Sequence, residues 1–162
     1  MLNLPYQNKA SLGLLLSYLF IVGLLVMAPI AAWGEAIPTG SDKPFAEHFL
    51  VLQISDDDPA KQAMVLSVAS NLMEYYDPDM VDIEIVAFGP GIELLFADSD
   101  NAELVDSLAA QGVRFAGCMN TIETIIRKTG KKPELNENMI PVQAGVARIL
   151  ELTGEGYTLV RP

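Results

Sequence analysis

His48-Phe-Leu-Val-Leu-Gln-Ile-Ser-Asp-Asp-Asp-Pro59 begins as a near-continuous apolar run and ends on three acids and a proline. An apolar run without polar alternation suits a strand covered on both faces, as parallel strands are. Asp58 followed by Pro59 is a helix start. A carboxylate suits the N-cap, and the fixed φ of proline suits the first helical position. A covered strand that passes directly into a helix is the opening of a β-α unit, and the rest of the chain repeats the pattern.

The first helix is expected through Ala63, Leu66, Ala69, Leu72 and Met73, ending near Tyr75-Tyr-Asp-Pro78. Val81-Asp-Ile-Glu-Ile-Val-Ala-Phe88 alternates and then turns fully apolar, a second strand. Gly89-Pro-Gly91 turns the chain into a short apolar helix, Ile92 to Ala97. A polar helix follows from Asn101 to Gln111, with Leu104, Leu108 and Ala109 inward and Gly112 closing it. Val113 to Gly117 is a third strand, and the helix after Cys118 runs to Lys128, with Gly130 ending it. Lys131 to Asn138 is a polar connection. Met139-Ile-Pro-Val142 is a short fourth strand whose proline marks an edge or a strand end. Ala144 to Leu152 is a helix closed by Gly154-Glu-Gly156, and Tyr157 to Arg161 is the last strand. Strands separated by helices predict an α/β fold, a three-layer sandwich with a mainly parallel five-stranded sheet in flavodoxin-like order. The two short last strands leave room for one antiparallel edge.

Before this domain lies a different kind of sequence. Lys9 is the only basic side chain ahead of Leu12 to Trp33, a run without any charge. Residues 1–34 therefore read as a signal peptide or an N-terminal membrane anchor, with small residues near Gly34 and Ala36 for cleavage. Residues 35–46 form a linker, with Pro38, Gly40 and Pro44 and no periodicity. Residues 47–162 are the domain. Either fate of the leader predicts a periplasmic or otherwise exported protein, anchored to the inner membrane only if the segment is retained. The whole chain carries a net charge of −11, and loss of residues 1–34 removes one lysine and no acid, leaving −12. Such a surface repels nucleic acid and anionic lipid, so nucleic-acid binding is set aside.

In open α/β sheets, sites gather at the carboxyl ends of strands. Three loops qualify: Ser55 to Asp58, Gly89 to Gly91, and Gly117 to Asn120. A flavodoxin-like order would bring the first and third strands together and place the Asp run beside Cys118. Cys118 is the only cysteine, so it forms no internal disulfide. At a strand end facing a helix N-terminus, backbone partial charge favours its thiolate. The competing reading is a small buried hydrophobe beside Phe115 and Met119. Asn120 and Glu123 have capping-box spacing, which accounts for both, and Asn120 is also a candidate donor to a sulfur anion. Asp56 and Asp58 are candidates for binding, against a reading as cap and solvated charge. Gly89 is a candidate too, though its loop lacks the spacing of a phosphate cradle. His48, the only histidine, begins a strand, so a Cys-His pair is rejected. One Cys and one His make no zinc constellation, and no cofactor is expected. Arg114, Arg148 and Arg161 are candidate anion contacts, with a subunit contact as the alternative for Arg114. Met64, Met73 and Met80 read as core filler.

Gly112-Val-Arg-Phe-Ala-Gly-Cys118-Met-Asn-Thr-Ile122, Met139-Ile-Pro-Val-Gln-Ala-Gly-Val-Ala-Arg-Ile149 and Gly156-Tyr-Thr-Leu-Val-Arg-Pro162 resemble the DsrE/DsrF-like family over roughly residues 47–162. The resemblance implies a five-stranded α/β sandwich, assembly as a trimer or hexamer, and a cysteine that carries persulfide sulfur, matched here by Cys118. It implies sulfur exchange with a donor or acceptor protein rather than ordinary turnover, since no acid/base constellation accompanies the thiol. Relay members of the family act in the cytoplasm, from which the export segment sets this chain apart. The expectation is thus an exported DsrE-like sulfur carrier. Its alternative is a non-catalytic oligomeric binding or structural module of the cell envelope with a buried cysteine.

Overall fold

The computed structural model describes residues 43–162, so the expected leader and most of the linker lie outside the described residues. Five strands form one sheet: β1 (His48–Ile54), β2 (Val81–Ala87), β3 (Arg114–Cys118), β4 (Met139–Val142) and β5 (Thr158–Val160). Between them run α1 (Pro59–Tyr76), a 3-10 helix (Gly89–Leu95), α2 (Ala102–Ala110), α3 (Met119–Thr129) and α4 (Gly145–Gly154). The order across the sheet is β4-β3-β2-β1-β5, and all four pairings are parallel. The expected α/β three-layer sandwich is present, and neither short edge strand is antiparallel.

The layers follow from handedness. From β1 to β4 the chain steps one way across the sheet, and right-handed crossovers put the intervening helices on one face. The last step reverses and returns past three strands to β5, so α4 lies on the opposite face. The first face packs Leu52, Ile54, Ile83, Ile85 and Phe115 against Leu66, Met73, Leu108 and Ile122. The second packs Val51, Val86 and Ala116 against Ile149, Leu152 and Tyr157. Among the described residues, one helix alone covers that second face. Its outer residues Val146 and Leu150, and the flanking strand residues Ile140 and Leu159, stay exposed.

The reversal falls between β1 and β5, and β2 separates β1 from β3. The expected meeting of the Asp run with Cys118 therefore does not occur. Two inter-strand spacings, about 10 Å, stand between those strand ends. Asp58 caps α1 as expected, its Oδ1 accepting from the Ala60 N–H at 2.8 Å, and Pro59 begins the helix. Gly89-Pro-Gly91 is no separate turn but the first turn of the 3-10 helix. A Cβ on Gly91 would lie 2.6 Å from the Ile54 carbonyl oxygen, so only glycine lets this helix seat against the end of β1. Met73 is buried as core, whereas Met64 is exposed, because it lies on the outer side of α1.

Candidate functional site

β3 alternates, so Arg114, Ala116 and Cys118 address the α4 face, and Phe115 and Gly117 the other. Cys118 ends β3 with extended φ −71° and ψ 112°, and is the N-cap residue of α3. This corrects the capping-box expectation. The helix begins before Asn120, whose side-chain oxygen accepts from the Gln143 amide at 2.8 Å instead of capping anything. Cys118 holds the N-cap position without a side-chain capping hydrogen bond.

Cys118 is only 6% exposed. Burial alone would push its thiol up, but the Thr121 hydroxyl and the backbone N–H groups of Gly145, Thr121 and Asn120 outweigh it, and the thiol lies below its ordinary value. Asn120 and Thr121 stand in the first turn of α3, and Gly145 opens α4. Two helix N-termini from opposite layers thus converge on one sulfur, where their dipoles add. The protonated thiol has its own partner, since Sγ–H donates to the Gln143 carbonyl oxygen at 4.0 Å, a long contact for a weak donor. Gly89, read as a candidate for binding, is engaged within the chain. With φ +54°, it donates its N–H to Thr121 Oγ1 at 3.0 Å. That occupies a lone pair of the hydroxyl and leaves its proton to point at sulfur.

The other candidates lie apart from Cys118. Asp56 pairs with Lys61 Nζ at 2.6 Å and faces Arg161 at 3.5 Å across the β1–β5 edge. The Lys61 hydrogen bond is the main cause that holds its carboxyl below the ordinary range. Asp58 is occupied as the α1 cap. His48 stacks on Tyr76, ring centroids 3.9 Å apart, at the start of β1 and away from the thiol. Among the described residues, no group of three or more His, Cys, Asp or Glu side chains could hold a metal ion.

Arg114 and Arg148 are not free anion contacts. Asp82 and Glu84 of β2 are buried, 0% and 2% exposed, on the face that α4 covers. Arg114 donates to Asp82 at 2.6 Å, to Glu84 at 3.0 Å and to the Tyr157 hydroxyl at 3.0 Å. Arg148 of α4 grips Glu84 with two bonds, Nε–Oε1 2.7 Å and Nη2–Oε2 2.8 Å. Tyr157 in turn donates to Asp82 at 2.8 Å. Burial would lower the Arg114 value, but Asp82, Tyr157 and Glu84 hold it above the ordinary one. Burial, with the Asp82 hydrogen bond, keeps Tyr157 protonated well above its usual range. The strand pattern Asp82-Ile-Glu84 already marks acids at every second position of a strand; what it lacks is the identity of their partners. Thr121, Gln143 and Gly145 all fall within the quoted motifs, and their roles at the sulfur become visible only once α3 and α4 meet.

No protein-family model matches the chain, and no curated protein does. Among solved structures, it is similar to the protein of unknown function MTH1491 from Methanobacterium thermoautotrophicum. The two are 33% identical, with 72% of this chain and 100% of that chain covered and a TM-score of 0.64. It is also similar to the ychN protein from E. coli at 12% identity, covering 71% of this chain and 99% of that chain, with a TM-score of 0.57. The latter likeness is one of fold. The fold is DsrE-like.

Proposed function

We propose, from the premise that the chain belongs to the family of the MTH1491 protein and has a DsrE-like fold, that it is an exported sulfur carrier. Cys118 is its persulfide site. The observation that carries this reading is the place of Cys118, at the N-terminus of α3 and beside the entry to α4, where the Thr121 hydroxyl and backbone N–H groups favour its thiolate. A thiolate held by fixed donors is ready to attack a sulfane sulfur. In that step the Cys118 Sγ–S bond forms as the donor S–S bond breaks. The donor's inner sulfur leaves as thiolate, and the transferred sulfur keeps its oxidation level. Discharge to an acceptor thiolate is the same exchange in reverse, so the chain itself needs no acid/base pair, metal or cofactor.

The protein works as a homo-oligomer, a trimer or hexamer, associated through the α4 face. Among the described residues, Ile140, Val146, Leu150 and Leu159 are exposed apolar side chains on that face, and exposed apolar surface of this kind supports a contact surface. The apolar run Leu12 to Trp33 supports export to the periplasm, followed by cleavage or by retention as an anchor in the inner membrane. Incubating the purified domain with polysulfide and recording intact mass tests the carrier role. The expected result is a reductant-sensitive gain of sulfur on Cys118, absent from Cys118→Ser; an unmodified wild-type thiol would end the proposal. Leu150→Asp should lower the mass seen by light scattering, and an unchanged mass would remove the assembly surface.

The 6% exposure of Cys118 favours a second reading, an envelope binding or structural module in which the thiol is only packed. On that reading Cys118→Ser leaves any cellular role intact.

A further inference from the structure

The connection from β4 into α4 meets Cys118 at the Gln143 carbonyl oxygen, 4.0 Å from the sulfur, and the Gly145 N–H that opens α4 favours the thiolate, yet little of that first turn is buried. Gly145 is buried, while Val146 and Ala147 are exposed. The apolar anchors Ile149 and Leu152 lie farther along the helix. Beside this turn, an open cleft of about 600 Å³ separates α4 from β4, lined by Ile140, Val142 and Ala147. Apolar packing therefore does not locate the turn. Two things do. Gly145 sits so close to Phe88 that a Cβ there would be 3.1 Å from it. Arg148, three residues on, holds Glu84 with two bonds of 2.7 and 2.8 Å. Glu84 is itself held by Arg114 at 3.0 Å, which also donates to Asp82 and Tyr157.

We infer that Glu84 and Arg148 are positioning residues for Cys118, their partly buried ion pair holding the first turn of α4 so that the Gly145 N–H faces the sulfur. This rests on the reading of Cys118 as a reactive thiol. The planar two-pronged pairing suits the task, because it fixes direction as well as distance. Neither residue touches the sulfur. The direct partners of Cys118 are uncharged, and the charged side chains on the elements that enclose it are Asp82 and Glu84 of β2, Glu93 of the 3-10 helix, Arg114 of β3, Glu123, Arg127 and Lys128 of α3, and Arg148 and Glu151 of α4.

The test is the pH profile of Cys118 alkylation by iodoacetamide in Arg148→Met and Arg148→Lys. Arg148→Met should slow alkylation at neutral pH about tenfold and raise the profile's midpoint by about one unit, the shift that a tenfold loss of thiolate corresponds to. Arg148→Lys, which keeps the charge but not the fork, should recover part of the rate. Val65→Ala in α1, on the other layer, controls for loss of stability and should keep the wild-type midpoint. A folded Arg148→Met with the wild-type midpoint would overturn the inference, as would an equal shift in Val65→Ala. If Arg148→Met does not fold, Arg148→Lys decides alone, and an unmoved midpoint there overturns it as well. Polysulfide treatment of the wild type separates the two ideas. A shifted midpoint without a sulfur adduct upholds the positioning and ends the carrier reading; an adduct with no shift does the opposite.

Discussion

Thr121→Val removes one hydroxyl from the site and keeps its shape. That hydroxyl accepts from the Gly89 N–H at 3.0 Å and donates to Cys118, where it is the strongest of the groups that lower the thiol. A hydrogen bond to a charged acceptor contributes about 1.5–3 kcal/mol. At roughly 1.4 kcal/mol per pH unit, its loss should raise the thiol by about one to two units. Water cannot readily stand in, because the sulfur is 6% exposed. The thiolate fraction at neutral pH, and with it the rate of alkylation or sulfur uptake, should therefore fall about 10- to 100-fold. Thr121→Ser should retain most of the wild-type rate. The assay is the pH dependence of iodoacetamide alkylation followed by mass.

The same substitution has a stability signature with a definite sign. A thiol lower in the folded state than in the unfolded one binds fewer protons when folded across the interval between the two values. Stability gained from it is complete above the unfolded value, near 9.0, and is lost as pH falls through the folded one. Wild-type stability relative to Cys118→Ser should thus rise through that alkaline interval, and Thr121→Val should flatten the rise. Valine also leaves the Gly89 N–H without its acceptor, which costs about 1–3 kcal/mol at every pH and so separates from the titration. Coincident pH–rate midpoints for wild type and a folded Thr121→Val would refute the reasoning.

Gly91→Ala places its Cβ 2.6 to 2.8 Å from main-chain atoms of Ile54 and Ser55, which cannot swing aside, and should destabilise by about 2 kcal/mol or more in urea melts. Gly117→Ala meets only the flexible Met139 thioether and Ile92, so its loss should be smaller; the reverse ranking would contradict the packing described. Asp82→Asn keeps a side chain of the same shape but removes one of two buried charges that face Arg114. Breaking a buried pair costs about 3–5 kcal/mol, and because Glu84 remains, the low end near 3 kcal/mol is expected. A change below 1 kcal/mol, as an order of magnitude for exposed pairs, would mean that water reaches the network.

Much of the fold was legible because its signals are local. The apolar β1 run, the Asp58-Pro59 helix start and Gly130 at the end of α3 each act through residues a few positions apart. Even the short strand at Met139–Val142 has the expected bounds. Errors arose where a distant element set the outcome. Asn120 has cap spacing, but the helix had already begun at Met119. Met64 has apolar character, but no layer covers its side of α1. Arg114 and Arg148 read as loose cations until the buried acids of β2 met them.

By itself, the sequence determined a repeated β-α domain, a single thiol at the end of its third strand and a strongly acidic surface, since composition and short-range pattern suffice for each. Only the tertiary structure decided what surrounds that thiol. The direction of each crossover sets which face a helix occupies. The one reversed step, after β4, carries α4 to the opposite layer and its first N–H to Cys118, while β2 keeps the Asp run away. Crossover direction is a property of the whole sheet, and no stretch of residues encodes it alone.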